Sequence, residues 1–391
     1  MRNISSVRMA HEYGASKESF EKVTQIMQTE VSIPCSARYN SLYDDRDLHH
    51  ALMALSMGNS YAESGMKGLA LEAAGARVPS GSWVRDAAAK VPEQGMRAML
   101  ERALESTAAK VAAFRLLTMP VMAAIDAHKV PRYDARMEPF LRRGKHEKGT
   151  STFEVYANLQ CVEEGRRCQL SCDRQGFFKD NEDVVERLLV DARLQSVDIY
   201  LLLLDRGFFG SPVVDRLKKL RQPFLMPAIK NSGIKRAIME YVAGKRKCVS
   251  EYTMHTPDGG AASFNLVILP KEGSEKEADP VDRHLVFATN IPEGRILWNI
   301  RRLPEDYRKR WGIETGYVGI ERLRARTTSR NHSLRLLYFY YSLILYNAWL
   351  LANLTLANRF EVLLPLAEPI IPIQTLKVAF RLLIVESMGC G

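Results

Sequence analysis

Cysteine is scarce, acids are outnumbered by bases, and neither an internal repeat nor a low-complexity tract runs through the 391 residues. Six cysteines in so long a chain, with no signal peptide at its start, exclude a disulfide scaffold and point to a reduced, intracellular protein. Cys168 and Cys172 stand four apart, but no second His or Cys pair lies near enough in sequence to complete a zinc site, so they read as strand or core cysteines. Long uncharged apolar runs are missing too. The nearest to a membrane span, residues 334–354, holds Arg335, Ser342, Asn347 and Asn353 and follows a basic stretch, so it reads as a buried core helix rather than a span. The 45 acids fall short of the 55 bases; a formal charge of +10 and a pI near 9.2 favour an anionic partner, and nucleic acid is the commonest. What remains is ordinary globular composition, 46% apolar and 26% charged, on a chain long enough for two or three domains.

Residues 1–115 are rich in Ala, Met, Leu, Glu and Lys without alternation, which predicts a helical N-terminal domain. Short helices there, one from Asp45, one from Met66 closed by Gly75, one from Trp83 to Lys90, allow a helix-turn-helix that contacts DNA, although small helical bundles share the pattern. From Met119 the texture changes. Met-Pro-Val-Met-Ala-Ala-Ile-Asp126 is an apolar strand ending in an acid, and the bases from Lys129 to Lys148 read as a long basic loop. A hairpin over 152–172, a helix capped by Asn181, a strand Val197–Leu204 ending in Asp205, a helix over 211–220 and a strand from Phe224 make a mixed α/β sheet over 116–230. Residues 231–303 read as a β-rich insertion, with strands at 248–254, 262–269 and 284–289 and a turn at Pro257–Gly260. Residues 304–391 read as the C-terminal part of the same α/β core and a tail from 361, and the apolar helix over 333–357 is expected to pack on the sheet.

One stretch stands out: Pro304-Glu-Asp-Tyr307-Arg-Lys-Arg310-Trp-Gly-Ile-Glu314, continuing to Glu321-Arg322-Leu-Arg324-Ala-Arg326. Proline followed by two acids starts a helix. Tyr307, Arg310, Glu314 and Glu321, spaced 3, 4 and 7 apart, fall on one helical face. Residues 295–330 carry ten Lys/Arg and four Asp/Glu. A carboxylate in such a field suits a metal ligand acting on a phosphate polyanion; a solvated charged helix is the plainer alternative. Asp126 and Asp205 each end a strand, and adjacent strands bring such carboxylates together. With Glu314 they form a hard-oxygen set suited to two Mg²⁺ ions. Trp298 is expected in the core, with stacking on an extruded base as the other possibility.

Tyr307-x2-Arg310-x3-Glu314 resembles the signature helix of DDE transposases of the insertion-sequence-four family. Leu-Leu-Leu-Asp205-Arg-Gly-Phe-Phe resembles that family's second catalytic block, and Ala-Ile-Asp126-Ala-His its first. Asp126 and Asp205 are 79 apart and Asp205 and Glu314 are 109 apart, which leaves room for the family's β insertion. The resemblance, over about 119–350, implies a ribonuclease-H-like mixed sheet flanked by helices. It implies Asp126, Asp205 and Glu314 as catalytic metal ligands for Mg²⁺, with Mn²⁺ able to substitute. Tyr307 and Arg310 would contact the DNA strand, with Arg322 or Arg324 as further phosphate contacts. The family's Lys seven positions after the Glu is Glu321 here, a charge reversal. The implied activity is cleavage at transposon ends and transfer of the 3′-hydroxyl into target DNA, by a homodimer on double-stranded DNA, in the prokaryotic cytoplasm and nucleoid. A catalytically impaired relative that occupies terminal repeats and a ribonuclease-H-like nuclease are the competing expectations.

Overall fold

A computed structural model describes residues 4–33, 42–73, 77–117, 119–133, 138–176, 180–255, 260–364, 366 and 368–389. The helix stop at Gly75, most of the turn at 257–260, and the cysteines Cys35 and Cys390 lie outside them. In chain order the helices are α1 (Ile4–Glu30), α2 (Asp45–Gly58), α3 (Ala62–Glu72), α4 (Gly81–Ala89) and α5 (Glu93–Val111). Then come β1 (Val121–Arg132), β2 (Leu141–Glu147), β3 (Thr150–Cys161), β4 (Gln169–Gln175), α6 (Asn181–Leu194), β5 (Ile199–Leu204), α7 (Ser211–Lys219) and β6 (Phe224–Pro227). The remainder is α8 (Ser232–Val242), β7 (Val249–His255), β8 (Ala261–Pro270), β9 (His284–Thr289), α9 (Glu293–Asn299), α10 (Leu303–Arg308), α11 (Trp311–Arg322), α12 (His332–Arg359) and α13 (Ile373–Gly389).

The chain forms two compact units. One holds residues 119–163 and 172–314, the other 1–118, 164–171 and 315–391. The first is built on a sheet of order β2-β3-β1-β5-β6-β9-β8-β7, with β4 also on β3. β1 is antiparallel to β3 and parallel to β5, and β5 is parallel to β6, so the sheet is mixed as expected. Its centre is made by the apolar runs: Val121–Ile125 and Leu201–Leu204 are buried throughout, as strands covered on both faces require. α6 packs on β3, and α7 on β8 and α6. In α7, Val213, Val214 and Leu217 face inward while Arg216, Lys218 and Lys219 sit at the negative end of its dipole. The cap of α6 is Asp180, not Asn181; the Asn181 amide donates instead to the Gly207 carbonyl at 3.2 Å. The strands of residues 231–303 extend this sheet rather than building another, because β9 pairs antiparallel with β6, Leu225 opposite Thr289.

Two expectations are corrected within the sheet. β1 does not end at Asp126 but runs on to Arg132, and the basic loop is largely a hairpin of β2 and β3. Lys148 (φ 53°) and Gly149 (φ 79°) make the two-residue turn, both in the left-handed region that such tight hairpins need. What lets a strand carry so many bases is a buried partner: Arg132 Nη1 donates to Glu154 Oε1 at 2.9 Å, and the Tyr156 hydroxyl to Glu154 Oε2 at 2.9 Å. Arg132 and Glu154 side chains are 2% and 1% exposed.

The second unit is helical. α12, expected to pack on the sheet, meets the first residue of β4 through Asn347 and is otherwise the centre of this unit, packed by α5, α1 and α4. Its polar residues are backbone clamps. Asn347 accepts the Gln169 amide at 3.0 Å and donates to the Gln169 carbonyl at 2.8 Å. Asn353 accepts from the Ile371 amide at 2.8 Å, and Trp349 Nε1 donates to the Ile371 carbonyl at 2.7 Å. Among the described residues no helix is long and apolar enough to cross a membrane. In α4, Trp83 leans on Tyr43 with centroids 5.1 Å apart, and Arg85 is paired with Glu63 at 2.9 Å.

Removing the Glu154 carboxylate leaves Arg132 charged and buried. Glu154→Ala is expected to cost about 3–5 kcal/mol of stability, read by urea unfolding of the full chain.

Candidate active site

Register brings the first two acids together. Ile125 of β1 pairs with Leu204 of β5, so the next residues, Asp126 and Asp205, leave neighbouring strands side by side. Parallel strands lie about 4.8 Å apart. β5 stops there, and its chain turns into a short 3₁₀ segment, Arg206–Phe208. Asp126 Oδ1 accepts the Ala127 amide at 2.9 Å.

The third acid arrives on a broken helix. The expected single helix from Pro304 through Glu321 is two: α10 ends at Arg308 and α11 begins at Trp311. Between them the bonds tighten to three-residue spacing, Arg310 N–H to Tyr307 O, Gly312 to Lys309 and Ile313 to Arg310. Close packing against the sheet enforces the break. A Cβ on Gly312 would stand 2.5 Å from the Val162 carbonyl oxygen, just past the end of β3. Gln160 donates to the Gly312 carbonyl at 3.5 Å.

The break puts Arg310 in the middle. Its Nη1 lies 3.6 Å from Asp126 Oδ2 and its Nη2 3.1 Å from Glu314 Oε1. Its guanidinium carbon stands 5.9 Å from the Tyr307 ring centroid. Tyr307 is wedged by Phe287 of β9, centroids 5.4 Å apart, and its hydroxyl donates to the Leu204 carbonyl at 3.4 Å. Burial pushes the Asp126 carboxyl above the ordinary carboxylate range; the Ala127 amide and Arg310 pull it back, while Asp205 and Glu314 push it further up. Burial likewise raises the Tyr307 hydroxyl. Burial alone would weaken the Arg310 charge, but Tyr307, Asp126, Asp205 and Glu314 more than offset it and hold the guanidinium pKa above its usual value.

Asp126, Asp205, Glu314, Tyr307 and Arg310 therefore share one site at one sheet edge. Arg322 and Arg324 belong to the helical unit, where Arg324 Nη2 is paired with Glu321 Oε2 at 2.8 Å. Trp298 is not core: it is 87% exposed on α9. The sequence reading missed the clamping role of Arg310, which no spacing rule shows, and the contribution of Phe287. The carboxylates fit a hard divalent ion in kind, since all three offer oxygen and their mutual repulsion calls for positive charge. Among the described residues, however, no three His, Cys, Asp or Glu side chains are grouped closely enough to hold one ion. Arg310 lies between Asp126 and Glu314.

The profile of the family described as "Transposase DDE domain" matches residues 123–348. The chain belongs to that family. No curated protein sequence matches this DDE transposase. Its fold is similar to that of the piggyBac transposase as seen by cryo-EM in a synaptic complex with hairpin DNA. The similarity has a TM-score of 0.58 at 10% identity, over 95% of this chain and 78% of that one.

Gly312→Ala forces a methyl group against the Val162 carbonyl. It is expected to cost about 1–3 kcal/mol and to displace Glu314, lowering any metal-dependent DNA cleavage more than duplex binding; thermal melting and cleavage rates of the same preparation separate the two.

Proposed function

We propose that this DDE transposase cuts DNA at the ends of a mobile element and joins the freed 3′-hydroxyl to target DNA. The observation that carries the reading is Arg310 bridging Asp126 and Glu314, with Asp205 following the strand that pairs in register beside Asp126. Asp126 and Asp205 would hold divalent metal, Mg²⁺ or Mn²⁺, with Glu314 completing the set. Divalent metal held there would supply activation of the attacking oxygen and charge stabilisation of the leaving one. The chain's own groups do the rest. Arg310, once Asp126 and Glu314 are otherwise neutralised, is left to hold a non-bridging phosphate oxygen through its planar fork. Tyr307, fixed by Phe287, sets the depth of that phosphate. Trp298, exposed on α9, offers a ring on which an unpaired base can stack. The fold shared with a transposase solved in a synaptic complex with hairpin DNA supports DNA as partner; double-stranded ends and assembly as a homodimer on them belong to the proposal.

A second reading rests on Glu321. The insertion-sequence-four pattern has Lys there; here the carboxylate engages Arg324, so neither residue offers an unpaired cation from this turn. A relative that binds terminal repeats with little cleavage follows from that.

Incubation of the full chain with Mg²⁺ and a duplex carrying the element's inverted repeats tests both readings. Asp126→Asn, Asp205→Asn and Glu314→Gln are each expected to abolish cleavage, by about three orders of magnitude or more, while duplex binding persists. Efficient cleavage by any one of them sinks the assignment of the triad. Glu321→Lys, which also releases Arg324, raises cleavage if the second reading holds and leaves it unchanged or lower if the wild type is fully active.

A further inference from the structure

From Phe153 to Cys161, β3 alternates apolar and polar side chains. Such a strand ordinarily turns its polar face to water, yet every one of these residues is buried. The pleat puts Glu154, Tyr156, Asn158 and Gln160 on one face. Buried polar groups need hydrogen-bond partners, so each of the four has something to serve. Glu154 and Tyr156 serve the ion pair with Arg132. Gln160 Nε2 donates to the Gly312 carbonyl at 3.5 Å, which sets this face of β3 against the junction of α10 and α11. Asn158, with no exposed surface, stands between them.

The register gives Asn158 its neighbour. It pairs directly with Asp126 across antiparallel β1 and β3. Side chains opposite one another in such a pair leave the same face, with Cβ atoms about 4.5–5.5 Å apart. Two contacts from one junction agree on which face that is: Arg310 reaches Asp126, and Gly312 reaches Gln160. The Asn158 carboxamide and the Asp126 carboxyl group therefore lie side by side at the α10–α11 junction.

Asp126 has capacity for such a neighbour. Its Oδ1 accepts the Ala127 amide at 2.9 Å, and its Oδ2 lies 3.6 Å from Arg310 Nη1, beyond hydrogen-bond length. Two carboxylate oxygens offer about four acceptor positions. A carboxamide brings a donor without bringing a charge. A lysine there would compete with a metal ion, and a further acid would add to the repulsion among Asp126, Asp205 and Glu314.

We infer that Asn158 is a positioning residue for Asp126: its carboxamide orients the carboxylate from the β3 side, so that the open edge of Asp126 is presented to divalent metal. The inference rests on the reading of Asp126 as a metal ligand and adds the residue that aims it. Groups that orient a ligating side chain matter to metal affinity nearly as much as the ligand does.

The test is Mn²⁺ binding to the full chain without DNA, read from the electron paramagnetic resonance of the free ion. Asn158→Val and Asn158→Thr have nearly the same shape, both suit a strand, and they differ by one hydroxyl. Asn158→Val is expected to weaken Mn²⁺ binding about tenfold or more. Asn158→Thr, whose hydroxyl still donates to Asp126, stays within about threefold of wild type. Leu159→Ala, from the apolar face of the same strand, lowers the thermal midpoint but leaves Mn²⁺ affinity unchanged, which separates aiming from stability. Should Asn158→Val fail to fold, Asn158→Ser against Asn158→Ala makes the same comparison with less bulk. Wild-type affinity in the variant without a hydroxyl overturns the inference. Equal losses in both members of a pair also overturn it, and mark Asn158 as a packing residue. Either result leaves the metal reading standing where Asp205→Asn weakens Mn²⁺ binding. A wild type that binds no Mn²⁺, or that binds it as well after Asp126→Asn and Asp205→Asn, removes the metal reading and the inference together.

Discussion

Like charge brought together in a partly dry place must be answered by opposite charge, and this constraint organises the sheet unit. Asp126 is mostly buried, and its neighbours Asp205 and Glu314 make ionisation harder still. Arg310 answers them. It reaches Asp126 with one nitrogen and Glu314 with another, and its own charge is reinforced by the same acids. The arrangement is poised rather than closed. Glu314 remains more than half exposed and Asp126 about a fifth, so the acids are open to a stronger cation from solution.

Everything around that cluster serves to hold its members at their stations. Asp126 and Asp205 are neighbours because β1 and β5 are in parallel register up to Ile125 and Leu204. A one-residue slip of either strand would turn its carboxylate to the opposite face from the other's. Arg310 is central because the helix breaks at it, and the helix breaks where Gly312 meets the carbonyl of Val162. Tyr307 is steady because β9 brings Phe287 against it. The strands of residues 231–303 are thus part of the site's frame, joined to it through the pairing of β9 with β6.

In the helical unit the same economy appears with neutral groups. Asn347 and Asn353 on α12 each bond both the N–H and the C=O of one residue, Gln169 and Ile371. Asn59 donates to the carbonyls of Glu321 and Arg324 in the stretch that ends α11. These amides made α12 look poorly suited to a membrane in sequence, and the structure gives the reason: they are hydrogen-bonded cores of chain crossings, where an unpaired peptide would be costly.

Much of the sheet was legible in the residues. The apolar runs before Asp126 and Asp205 and the amphipathic spacing of α6 and α7 are local patterns, and burial follows local pattern. The basic stretch after Lys129 was not legible as strands, because Arg132 is hidden by Glu154 and Tyr156, which lie more than twenty residues away. Trp298 read as core because large rings usually are; it stands in water because α9 turns only Ile296 inward. Nor was the place of α12 legible, since a helix apolar on every side gives no direction to its partner.

Sequence alone determined which chemical groups are present and in what local frame: three acids after apolar or basic runs, an aromatic and a guanidinium at helical spacing, an excess of positive charge. Only the tertiary structure decided that Asp126 and Asp205 lie on paired strands, that Arg310 bridges Asp126 and Glu314, and that the helix breaks to put it there. The reason is physical. Periodicity along a chain fixes which face a side chain takes, whereas distance between strands, steric contact at a glycine and the balance of buried charge depend on residues far apart in the chain.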